Sequence, residues 1–154
     1  VALNEYSATE GIAPHADGPI YAPRVAILSL GSPAVFRFYG RQPELRRRTA
    51  WNPDTDTPAH TANGPPVQTL LLQPRSLLVF SGAAFKEHCH EVAATSSGVE
   101  VLGQAAPLIN GALADVAEGE SVQRGRRVSL TVRHLLEFLL AEEAYSYSGV
   151  GSGR

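Results

Sequence analysis

Cysteine and lysine are almost missing from this 154-residue chain: Cys89 is its single thiol and Lys86 its single lysine. One thiol excludes an internal disulfide framework and fits a reducing compartment. The other 12 of the 13 basic residues are arginines, whose planar forks suit carboxylates and phosphates. No apolar run reaches the length of a membrane span, and no charged-then-apolar signal opens the chain, so no membrane partner is expected. A net charge of −2 and a pI near 6.2 exclude a globally basic nucleic-acid binder. With 44% apolar residues, wholesale disorder is excluded as well. The size is that of one domain with its own core, expected to be monomeric. The chain opens on Val1, inside a strand pattern. That start leads us to expect a fragment or processed product lacking N-terminal elements.

Strand-like runs fill the first 91 residues, at 1–6, 12–15, 24–30, 34–39, 67–72 and 76–80. They are short, rich in Val, Leu, Ile, Phe and Tyr, and bounded by Gly, Pro or Ser. Gly31-Ser32-Pro33 and Gln73-Pro74-Arg75 read as hairpin-type connectors. Residues 40–66 read as a long exposed loop, 81–87 as one helical turn, and 93–125 as a second stretch of low order. Alternation returns at 126–135, followed by a short helix over 135–144 and a frayed tail over 145–154. Many short strands with turn signals point to a mainly β fold, a jelly roll with a few short helices. The expected organisation is a core at 1–135 and a terminal helix and tail at 136–154.

His15-Ala16-Asp17 and the later His90 supply two imidazoles and a carboxylate, the ligand set of a non-haem Fe(II) site with open positions. Residues two apart on a strand share a face, so His15 and Asp17 would project together. Alone, the dyad reads more readily as a turn aspartate beside an exposed histidine. His88 competes with His90 for the third position. A zinc cluster of His88, Cys89 and His90 would need a further Cys or His, and none is suitably spaced. His60 falls in the expected loop. His134 should lie on the face of its strand opposite Arg133.

Arg127, Ser129, Thr131 and Arg133 share one strand face, with Val128, Leu130 and Val132 on the other. The bland alternative is a half-solvated edge strand. Against it, the polar face holds two arginines and no acid, which calls for an anion from outside. Arg124, Arg126 and Arg127 would also repel one another unless solvated or neutralised.

In order, Asn4-x-Tyr6, Ile12-x-x-His15-x-Asp17-Gly18-Pro19, His90 and Arg127-x-Ser129-Leu130-Thr131-x-Arg133 resemble the AlkB branch of Fe(II)/2-oxoglutarate dioxygenases. The likeness is greatest to the eukaryotic AlkB homologue 6 group and covers roughly residues 3–135. It implies a double-stranded β-helix, with Fe(II) held by His15, Asp17 and His90 in preference to His88. The resemblance also assigns the 2-oxoglutarate contacts. Asn4 and Tyr6 would donate to one carboxylate, Arg127 would pair with the distal one, and Arg133 would lie near the end closest to the metal. Ser129 stands where many AlkB members carry Asn, so a contact there would be shortened or lost.

The implied reaction consumes O2 and 2-oxoglutarate and oxidises a C–H bond; on an N-methyl group the product collapses to amine and formaldehyde. Alkylated nucleic acid is the substrate class implied, in the nucleus or cytosol. Arg37, Arg41, Arg46, Arg47 and Arg48 with Trp51 offer phosphate contact and base stacking. They read equally as a solvated loop facing Glu44, Asp54 and Asp56. The competing functions are a protein-directed hydroxylase or demethylase, a cupin-like metal barrel and a non-catalytic nucleic-acid-binding module. The cupin reading would need no arginine pair.

Overall fold

The computed structural model describes residues 1–18, 20–41 and 62–136. Among them the order is β1 (Ala2–Tyr6), β2 (Ile12–His15), β3 (Tyr21–Gly31), β4 (Ala34–Arg41), β5 (Ala62–Leu72), β6 (Leu77–Ser81), α1 (Ala83–Lys86), β7 (His88–Val92), β8 (Val99–Val101), α2 (Gly111–Ala114), β9 (Ser121–Gln123) and β10 (Arg127–Leu135). Eight strands form two antiparallel sheets, β1-β10-β3-β6 (sheet I) and β2-β7-β4-β5 (sheet II), while β8 pairs with β9. The two sheets make the jelly-roll architecture that the short strands foretell.

Of these eight strands, only β4 and β5 are consecutive partners within one sheet. The connectors read as hairpins are therefore corners: Gly31-Ser32-Pro33 carries β3 to β4, and Gln73-Pro74-Arg75 carries β5 to β6, each from one sheet to the other. Gly and Pro mark a change of direction in both cases, and which strand the chain then joins is set by non-local pairing. At the first corner Gly31 takes φ +83°, and a Cβ there would meet the Arg126 carbonyl oxygen at 2.5 Å, a position for glycine alone.

Period-2 alternation builds the core between the sheets. Val25 and Ile27 of β3 face Phe36 and Phe38 of β4, and Leu72, Phe80, Phe85 and Val92 complete the cluster. The other face of sheet I is apolar too. By register, Leu3, Leu130, Leu28 and Leu77 form one row across its four strands, with Leu3 65% and Leu77 64% exposed. The apolar side of the arginine strand is thus the outer one, and its polar side faces the interior.

Other expectations shift. The loop placed at 40–66 is shorter, since β4 runs to Arg41 and β5 begins at Ala62. Pro65 and Pro66 argued against a strand there, but β5 is an edge strand, where a missing N–H costs little. Residues 93–125 are not of low order. They carry β8, α2 and β9 and bury a second cluster, Val35, Leu71, Leu102 and Ala114, against the outer face of sheet II. They also cover the edge of β5, where Thr69 N–H donates to Pro107 O and Ile109 N–H to Thr69 O. Within the expected helix at 135–144, Leu135 ends β10; residues 137–144, like the tail at 145–154, lie outside the described residues. No helix among the described residues is long and apolar enough to cross a membrane.

Candidate active site

β2 is a four-residue edge strand containing Pro14, which cannot donate to a ladder. It meets β7 in two registered pairs, Ile12 with Val92 and His15 with His90, and a bulge between them absorbs one extra residue on β2. The bulge sets His15 directly opposite His90, with ring centroids 4.3 Å apart. His90 follows β6 and the helical turn α1, as its sequence context implied, and lies mid-strand in β7. Asp17 sits beyond the end of β2, in the irregular segment that follows, so it shares no strand face with His15. Its carboxylate nevertheless turns back inward: Oδ2 is 3.9 Å from His90 Nε2, and Oδ1 pairs with Arg133 Nε.

Burial shapes the electrostatics. His90 is 4% exposed, stacked on Phe36 and edge-on to Phe80. Desolvation first, then the nearby His15 and Arg133 charges, hold its pKa well below the ordinary histidine value. His90 is therefore a neutral imidazole with a lone pair to offer. His15 Nδ1 lies 2.9 Å from the Ala13 carbonyl oxygen. Donation there places the proton on Nδ1 and leaves Nε2 as the acceptor.

The expected anion contacts gather on the facing sheet. Tyr6 is registered with Arg127, Asn4 with Ser129, and Ser129 with Ser29. Asn4, Tyr6, His15, His90, Arg127, Ser129 and Arg133 line one cavity, joined by the apolar Ile12, Ile27, Phe36 and Val92. The space left between these side chains is about 40 Å³, room for two or three waters. Arg127 is 3% exposed. It donates to Ser29 Oγ at 2.9 Å and lies over the Tyr6 ring at 5.6 Å. Burial lowers its pKa and raises that of Tyr6. An arginine stays charged even so, and the Tyr6 hydroxyl stays protonated as a donor.

The donor set fits a divalent metal. Asp17 Oδ2 is buried with no hydrogen-bond partner among the described residues, beside a neutral His90 and an imidazole whose Nε2 is available. Among the described residues no three His, Cys, Asp or Glu side chains are yet drawn to ligating spacing; Asp17 is instead turned onto Arg133. A divalent ion would have to draw the Asp17 carboxylate partly off that guanidinium.

Other sequence candidates separate from the site. His88 Nδ1 contacts Ala83 O at 3.1 Å and does not line the cavity. His134 is exposed on the outer side. Arg37, read as a nucleic-acid contact, is used internally, pairing with Glu91 at 3.3 Å and Glu100 at 2.9 Å. Arg41 ends β4, its Nε buried without a hydrogen-bond partner among the described residues. Arg46, Arg47, Arg48, Trp51 and His60 lie outside the described residues. The arginine cluster resolves into three roles: Arg124 pairs with Glu100, Arg126 with the exposed Glu5, and Arg127 with no acid among the described residues. Sequence reasoning missed Ser29, and Tyr21, whose ring lies under Arg133 at 5.5 Å. A serine at an inward position after Val25 and Ile27 was the available signal for Ser29.

Residues 1–133 match the model of the 2OG-Fe(II) oxygenase superfamily. The chain belongs to that superfamily. Within it the chain is similar to the Danio rerio protein named "Probable RNA/DNA demethylase ALKBH6", with 33% identity over 141 residues. That match takes in 92% of this chain and 55% of the relative, so the chain spans about half of that protein's length. A solved structure titled "The structure of OsALKBH1" is 20% identical with a TM-score of 0.43, over 86% of this chain and 46% of the other, a likeness too loose to bear on function. Superfamily membership implies Fe(II), 2-oxoglutarate and O2 as the chemical partners of the site.

Proposed function

We propose that the protein is an Fe(II)/2-oxoglutarate-dependent dioxygenase that oxidatively dealkylates nucleic acid. In this reading His15, Asp17 and His90 hold the iron. The observation that carries it is Arg127, a buried guanidinium with no acid partner among the described residues, lining the same cavity as His15 and His90. A buried charge of that kind is stabilised when a ligand brings the opposite charge.

When bound, the iron and its co-substrate supply the oxidation of a substrate C–H bond with O2. The chain's own part is to bind, orient and exclude water. Arg127 takes the distal carboxylate of 2-oxoglutarate, with Ser29 holding its fork. Asn4 and Tyr6 donate from the neighbouring strand, and Ser129 lies beside them. Arg133 holds the Asp17 carboxylate at one oxygen and stands near the metal end of the co-substrate. Ile12, Ile27, Phe36 and Val92 form an apolar wall that keeps water from the reacting centre. The nucleic-acid substrate is supported by the name of the Danio rerio relative and by the resemblance of the ordered motifs. Arg37 gives no support to it, being held by two acids.

The test is uncoupled turnover: protein loaded with Fe(II) under ascorbate and air should convert 2-oxoglutarate to succinate, and release formaldehyde when an N-methylated oligonucleotide is added. No succinate together with no 2-oxoglutarate affinity would refute the oxygenase reading. Succinate without formaldehyde would refute the nucleic-acid substrate and favour a protein target.

A further inference from the structure

The two histidine strands are joined weakly for a site that must hold its ligands still. β2 shares two registered pairs with β7, carries a proline and a bulge, and has no partner on its other side among the described residues. At the corner where β2 begins and β7 ends, one buried side chain bridges both. Arg124, 4% exposed, donates from Nη1 to Ala93 O at 2.6 Å and from Nη2 to Glu10 O. Ala93 follows β7 directly, and Glu10 lies just before β2. The Arg124 guanidinium is neutralised by Glu100, 3.5 Å away on β8. Glu100 in turn pairs with Arg37 of β4 and accepts from Val35 N–H. The same corner leaves no slack. A Cβ on Gly11 would fall 2.1 Å from Val92 O, and Thr95 N–H donates to Thr9 O at 3.0 Å.

We propose that Arg124 is a positioning residue of the metal centre, a buried fork supplied by the 93–125 excursion that sets β2 against β7 and so holds His15 opposite His90. The proposal rests on reading His15, Asp17 and His90 as metal ligands. A planar guanidinium holds two backbone carbonyls at a fixed separation through its rigid fork, whereas the rotatable donors of a lysine ammonium fix no such geometry. Glu100 makes the burial of that guanidinium tolerable. The excursion is then more than a cover for the second apolar cluster: it reaches across sheet II to the back of the site. Loss of the bridge frees β2 to shift at its bulge, displacing the His15 imidazole while leaving the core between the sheets intact.

Co(II) titration of the whole chain, followed by calorimetry and by the visible ligand-field band, tests this without turnover. Arg124→Gln should weaken Co(II) binding by about 10- to 100-fold, the usual effect of removing a group that orients a ligand, and should alter the band. Arg124→Lys keeps the charge beside Glu100 but not the fork, and should weaken binding too. Leu102→Ala empties part of the second cluster in the same excursion without touching the bridge, and should bind Co(II) as the wild type does. Should Arg124→Gln fail to fold, Glu100→Gln, which strips the fork of its counter-ion, carries the same expectation. Wild-type affinity and band in the Arg124 variants, or an equal loss in Leu102→Ala, overturns the inference while the metal reading stands. No Co(II) binding by the wild type overturns the metal reading itself, and this inference with it.

Discussion

Replacing Arg127 with methionine should push the empty protein and the co-substrate complex in opposite directions. The side chain is 3% exposed, its Nε has no hydrogen-bond partner among the described residues, and one N–H goes to Ser29. Burying a cation without an acid costs several kcal/mol, so an apolar chain of similar length should leave the empty fold as stable as before or more so. For the co-substrate the sign reverses. Each charge-assisted hydrogen bond to a carboxylate is worth about 1.5–3 kcal/mol. Losing a two-bond contact therefore removes about 3–6 kcal/mol, or about two to four orders of magnitude in Kd. At 2-oxoglutarate one hundred times above Kd, linkage stabilises the wild type by about 2.7 kcal/mol. For a domain of this size that is about 5–11 °C in Tm. Scanning calorimetry with Mn(II), with and without 2-oxoglutarate, should show this rise in the wild type and none in Arg127→Met. A variant whose empty form melts well below the wild type, yet keeps the 2-oxoglutarate rise, would refute the argument that Arg127 awaits an external anion.

Two further outcomes follow from the charges. His90 has its pKa held below the unfolded value of about 6.5 by burial, so as pH falls the unfolded chain takes up the proton first. The metal-free fold should therefore be fully stable in this respect above about pH 6.5 and lose stability below it, by at most about 1.4 kcal/mol per pH unit. Urea titrations at pH 7.5 and 5.5 should show that loss, and His90→Gln should flatten it. Arg37→Ala strips Glu91 and Glu100 of a shared partner and should destabilise the fold by about 3 kcal/mol, read as a lower urea midpoint. If it instead weakens nucleic-acid binding with stability unchanged, the internal role assigned to Arg37 is wrong.

Local chemistry was legible from residues alone. Alternation located β3, β4, β6 and β10, because a strand with one buried face must repeat every two residues. Arg127, Ser129 and Arg133 fell on one face by the same rule. Asn4, Tyr6, His15, Asp17 and His90 could be named through the ordered motifs they resemble. What strand periodicity could not supply was partnership. A Gly-Ser-Pro or Gln-Pro-Arg turn looks alike whether the chain folds back on its neighbour or crosses to another sheet. Arg37 looked like a surface cation until Glu91, 54 positions away, and Glu100, 63 away, were seen beside it. The stretch at 93–125 lacked periodicity because its few buried residues, Leu102 and Ala114 among them, pack singly onto another sheet and present no repeating face of their own.

The sequence by itself therefore determined which groups are available: two imidazoles and a carboxylate in family order, an arginine strand without acids, and strands short enough for a jelly roll. Only the tertiary structure decided which arginine is neutralised, which is left charged and buried, and how His15 comes to face His90. Those outcomes depend on contacts between residues far apart in the chain, whose energies arise only once water is excluded between them.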